Sequence, residues 1–147
     1  MANVLSTEVI LDGERLYIAK FTNIADTDEA KATKIDVSAL NPNSFSLACD
    51  GVVIDKIWVQ TQGLAVYLYF QGDATDPTTD TLAMTIPADQ LYDISYDDIG
   101  GIKSFNTDAA KTNDLLLSTV GAAAGDSYTL VIQCIKSYAP SQAGARG

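Results

Sequence analysis

A chain of 147 residues, nearly half of them apolar, is long enough to bury about 70% of its extended surface in one core and too short for a second. Its net charge of −10, from 19 acidic and nine basic residues, is the opposite of what neutralising phosphates requires, so no nucleic acid is expected as a partner. No apolar run approaches the roughly 18 residues that span a bilayer, and no membrane is expected either.

In chain order, residues 1–7 are uncharged and extended in character. They contain neither the basic stretch nor the long apolar run of a secretory signal, so synthesis in a cytoplasm is the expectation. Val9 and Leu11 share one face of a strand that ends at Asp12-Gly13. Across that turn Leu16, Ile18 and Lys20 alternate with Tyr17, Ala19 and Phe21. A hairpin is predicted, with Gly13 supplying a positive φ. Residues 26–33 carry Asp26 and Asp28 as possible N-caps of one or two helical turns, and a third strand is predicted over 33–37.

Residues 51–60 and 64–71 form the clearest strand pair, joined through Thr61, Gln62 and Gly63. Leu64, Val66, Leu68 and Phe70 point one way and define the core side, while Ala65, Tyr67 and Tyr69 point the other way. Two tyrosines leave that outer face half polar, free either for a partner or for a loop of the same chain. Trp58 lies in the apolar run 52–59 and is expected to be buried. After the polar stretch 72–80, strands are predicted over 81–86, 114–120 and 128–136, with Leu130, Ile132 and Cys134 in the core. Residues 87–92 read as another helical turn, 121–125 as a Gly/Ala connection, and 139–147 as a flexible tail.

About eight strands with very little helix predict an all-β fold, a two-sheet antiparallel sandwich, with a jelly roll as the specific topology. Periodicity does not record strand order, so an up-and-down barrel stays open. The domain is expected to span 8–138, between an arm over 1–7 and the tail.

The chain contains no histidine, which removes the usual general base, the Ser-His-Asp and Cys-His arrangements and the commonest transition-metal ligand. Phosphate-cradling glycine motifs and the nucleophile elbow are also absent. What remains for catalysis is a carboxylate pair, for which Asp93, Asp97 and Asp98 beside Tyr92 and Tyr96 are the best candidates; a solvated turn is the favoured reading. Asp73, Asp76 and Asp80, or Asp26 and Asp28, offer calcium-type oxygens without matching an EF-hand loop. Cys49 and Cys134 are too far apart for a C-x-x-C motif and read as buried free thiols, a disulfide requiring an oxidising compartment. No catalytic residue, cofactor or metal site is therefore expected, and the chain is read as a non-enzyme.

The segment 8–40, EVILDGERLYIAKFTNIADTDEAKATKIDVSAL, sets two alternating strands about Asp12-Gly13, then an acidic Asp26-Thr27-Asp28 step, then a third extended piece. This block resembles the start of small virion structural proteins of tailed bacteriophages, of the capsid decoration or cement type. The resemblance implies a structural protein on the outer capsid surface of the virion. Its partner would be the major capsid protein, and it would act as a homo-oligomer, with a trimer favoured. It also makes the 1–7 arm a candidate for strand addition to a neighbour, so that Met1, Ala2, Asn3, Val4 and Leu5, with Tyr67 and Tyr69, are the expected partner-binding residues. A head-to-tail joining or tail component is the alternative within this class. A carbohydrate-binding β-sandwich, with Trp58, Tyr67 and Tyr69 as its platform, is the alternative outside it.

Overall fold

The computed structural model describes residues 2–138. Among the described residues there are nine strands: β1 (Val4–Asp12), β2 (Leu16–Ile24), β3 (Ala32–Ile35), β4 (Cys49–Gln62), β5 (Ala65–Phe70), β6 (Thr81–Ile86), β7 (Leu91–Ser95), β8 (Leu115–Val120) and β9 (Ser127–Tyr138). The described helical structure is confined to 3-10 turns at Val37–Ala39, Pro77–Thr79 and Asp97–Ile99. All strand pairs are antiparallel, in a five-stranded sheet of order β1-β2-β9-β4-β7 and a four-stranded sheet of order β3-β8-β5-β6.

The inner faces of both sheets contribute to one core, as period-2 alternation dictates. Val66, Leu68 and Phe70 from β5 meet Phe21 and Ala19 from β2 and Leu130, Ile132 and Cys134 from β9 in that cluster, with Leu64 beside them. The core residues predicted from alternation are therefore all buried. β4 interrupts its own alternation. A bulge at Asp55 lets Val52 and Ile54 face inward before it and Ile57 and Val59 after it. The same change of parity turns Trp58 outward, where it is half-buried on the five-stranded sheet, contrary to the burial expected from its apolar run.

Several expectations are corrected by the backbone. The predicted helical turn over 87–92 gives way to β7, whose Leu91 to Ser95 pair with Gln60 to Lys56 of β4. Its inward residues, Tyr92 and Ile94, pack against the core, and that packing decides for a strand. Residues 26–33 form no helix. Asp28, expected as an N-cap, instead accepts the backbone N–H groups of Gly121 (3.2 Å) and Ala122 (2.8 Å) across the fold. Gly13 is not in the left-handed region: the hairpin turns through Gly13, Glu14 and Arg15, and the Gly13 N–H donates to the Leu16 carbonyl at 2.9 Å.

The expected boundary between arm and domain falls inside β1. Val4 to Thr7 pair with Ile24 to Phe21 of β2 in the same ladder that continues to Asp12. Asn3 is tied down as well, its Oδ1 accepting the N–H groups of Asp26 (2.6 Å) and Thr27 (3.0 Å). Met1 and the expected tail over 139–147 lie outside the described residues.

Candidate partner-binding surface

β1 is the outermost strand of the larger sheet, and its side chains are exposed along almost its whole length. Because opposed residues of an antiparallel pair share a face, Leu5 and Val9 stand on the same side as their partners Asn23 and Ala19, which is the core side. Asn23 and Ala19 are covered, yet Leu5 and Val9 remain 52% and 53% exposed. β1 thus overhangs the sandwich. Val4, Ile10 and Leu11 add further exposed apolar surface to the same strand, and Ile24 continues it on β2.

An edge strand of this length normally carries a device against unwanted pairing, such as lysine, proline or an inward charge. β1 has no lysine or proline, and its only mid-strand charge is Glu8, opposite Lys20. Its one blunting feature is the bulge between Val9 and Leu11. The strand therefore presents both an unpaired ladder and an apolar face, the two ingredients of strand addition. Of the residues expected to bind a partner, Val4 and Leu5 lie on this strand and Ala2 and Asn3 lead into it.

Tyr67 and Tyr69 stand elsewhere, half-buried on the outer face of the four-stranded sheet. The Lys31 ammonium sits 4.7 Å from the centre of the Tyr69 ring and also pairs with Asp80 at 3.0 Å, so a neighbouring connection of the same chain partly covers this tyrosine. The structure does not gather the expected residues into one patch. The two tyrosines and the β1 overhang belong to different sheets and face in different directions. Trp58 is on the outer face of the five-stranded sheet, beside Ile18, Lys56 and Val131 in an open hollow of about 150 Å³. A single sugar platform of Trp58, Tyr67 and Tyr69 cannot form, because the sandwich lies between them.

The aspartates considered for calcium in the 72–80 stretch are engaged in local structure. Asp73 Oδ1 accepts from the Thr75 N–H and hydroxyl, and Asp76 Oδ1 accepts likewise from Thr78. Asp80 accepts the Gly72 N–H on one oxygen and Lys31 on the other. Among the described residues no group of three or more acidic or thiol side chains is placed to hold a metal ion. Asp93 projects beside Trp58 on the outer face, and the Asp97 side chain is outside the described part.

Burial pushes the Asp114 carboxyl above its ordinary range, a property of many general acids, but its Oδ1 accepts the Val37 N–H at 2.9 Å and so serves as a structural tie. Cys49 and Cys134 are free and buried, and burial raises both thiols. Val4 and Leu5 were expected to bind a partner, but the rest of the β1 overhang, Val9 to Leu11, was not, because exposure on the core side of a strand depends on which strands cover it, which alternation does not encode. No protein-family model, curated protein or solved structure matches the chain.

Proposed function

We propose that the chain is a non-enzymatic virion structural protein that decorates a bacteriophage capsid on its outer surface and stabilises the shell by binding the major capsid protein. The observation that carries this reading is the β1 overhang: a closed sandwich has no structural need for a ninth strand whose apolar side chains remain in water. The resemblance of segment 8–40 to decoration proteins supplies the identity of the partner. An acidic chain suits the outside of a DNA-filled shell.

We read the topology as a jelly roll with one added strand. With β1 set aside, the strands fall into β2-β9-β4-β7 and β3-β8-β5-β6, and successive strands change sheet at every connection except β5 to β6. Such folds serve in both capsid and lectin domains, so topology alone does not decide the function. Assembly as a trimer on a capsid symmetry axis would let modest contacts act together, each bound subunit raising the effective concentration of the next.

The test is co-sedimentation of the full chain with undecorated shells, beside the double variant L5K/V9K. Both positions are exposed, so the variant is expected to keep its melting temperature. The reading expects saturable binding by the natural chain and at least a tenfold loss in the variant. Equal binding by the two proteins would remove β1 from the interface, and no binding to any shell would remove the capsid.

A further inference from the structure

The sandwich contains a buried polar cluster that neither the core nor the β1 surface uses. Glu29, in the connection between β2 and β3, is held by its own backbone: its N–H donates to Thr119 Oγ1 at 2.8 Å and its carbonyl accepts the Thr119 N–H at 3.1 Å. Its carboxylate points inward and is almost closed off from solvent. Oε2 accepts from the Tyr128 hydroxyl at 2.6 Å and from Asn23 Nδ2 at 3.3 Å. Oε1 faces Lys34 Nζ at 2.8 Å. Lys34 reaches this position from a bulge in β3, between Thr33 and Ile35, and its side chain is 8% exposed.

Two acceptors in the cluster are poorly served. Among the described residues Asn23 Oδ1 is buried with no hydrogen-bond partner, and Glu29 Oε1, although ion-paired with the ammonium, lies outside hydrogen-bond geometry with it. A primary amine and a carboxamide are therefore held on the two oxygens of one buried carboxylate, with a phenol donating to that same carboxylate. A carboxyl group shared in this way can relay protons in an acyl transfer.

We infer that Lys34 and Asn23 condense into an intramolecular amide cross-link, with Glu29 as the proton relay. The Lys34 ammonium gives a proton to Glu29, and the free Nζ crosses the width of the carboxylate to attack Asn23 Cγ. In the tetrahedral adduct Glu29 first delivers that proton to Nδ2, then takes the second proton from the attacking nitrogen and passes it to the departing ammonia. The Nζ–Cγ bond has formed, the Cγ–Nδ2 bond breaks, and the nitrogen leaves as ammonium carrying the charge that Lys34 brought in. No oxidant or further reagent is required. Confinement in a nearly dry site supplies the high effective concentration that amide exchange lacks in water. The product replaces a buried ammonium with a neutral N–H able to donate to Glu29. It also joins β2 of the larger sheet covalently to β3 of the smaller one.

The experiment is an intact-mass measurement on the folded full chain after denaturation, followed by tryptic mapping. The expected mass is lower than that of the unmodified sequence by one ammonia, about 17 Da. The map should show peptide 21–31 joined to peptide 32–56, with cleavage blocked at Lys34. E29Q and K34R, each checked for cooperative melting, should retain the full mass of their own sequences. A folded natural chain that keeps its full mass after prolonged incubation overturns the inference, and this reading requires no variant to fold. So does an ammonia loss that maps to any pair other than Asn23 and Lys34. The inference is independent of whether the chain docks on a shell.

Discussion

The Lys136 ammonium, wholly withdrawn from solvent on β9, meets the carboxylate of Asp12 at the end of β1. The Asn41 carbonyl, at 3.0 Å, is its second acceptor. Asp12 keeps 21% of its side chain exposed, so the two partners are unequal. Asp12→Ala leaves a buried cation with one neutral acceptor and is expected to cost about 3–5 kcal/mol. Lys136→Met leaves a carboxylate that water can reach and is expected to cost less than half as much. Urea denaturation of the two variants checks the asymmetry, and equal losses would contradict it.

Cys134 and Tyr128 set the alkaline limit. Burial is the largest cause raising each group above its ordinary value, 9.0 for the thiol and 10.0 for the phenol. A group whose folded pKa is raised contributes stability that is complete below its unfolded pKa. That contribution is lost as pH rises, because the unfolded chain releases the proton first. Stability should therefore begin to fall near pH 9 and fall faster beyond pH 10, by about 1.4 kcal/mol per pH unit for each group. Cys134→Ala should shrink the earlier part of the decline and leave the share of Cys49, whose thiol burial also raises. Denaturation midpoints measured between about pH 8 and pH 11 test this, and identical profiles for the two proteins would count against it.

Leu68 lies fully buried at the centre of the smaller sheet's inner face, between β6 and β8. Leu68→Ala is expected to cost about 2–5 kcal/mol through lost burial and the cavity left behind. A change below about 0.5 kcal/mol, as at a surface position, would contradict the placement of this face.

Gly63, between β4 and β5, has φ +80, and a Cβ there would come within 2.1 Å of Asp126 Oδ1. Its N–H also donates to Asp89 Oδ1 at 3.0 Å, which fixes the turn. Gly63→Ala combines backbone strain with displacement of Asp126 and is expected to cost about 1–3 kcal/mol. Thermal melting reads this directly, and a melting temperature equal to that of the natural chain would contradict it.

Alternation made the two-layer core legible wherever a strand is regular, as in β2, β5 and β9. It misled where a bulge changes parity: Trp58 sits in an apolar run, and only the extra residue at Asp55 turns it outward. β7 was hidden because just Tyr92 and Ile94 mark its inner face, and the neighbouring aspartates read as turn chemistry. The partner-binding surface was half legible. Val4 and Leu5 could be picked out as apolar residues in an extended segment, whereas their standing on an uncovered edge follows from the order of strands. Glu29, Asn23 and Lys34 gave no signal, since three polar residues at irregular spacing acquire meaning only when a bulge and a long connection bring them to one point.

The most direct test of the decoration reading is the number of copies of this chain in purified phage particles, measured by quantitative mass spectrometry against the major capsid protein, with its position located by electron cryomicroscopy. Decoration predicts a fixed ratio to the capsid subunits and density on the outer shell at its symmetry axes, with β1 at the contact. A few copies per particle, or density confined to the neck or tail, would contradict it.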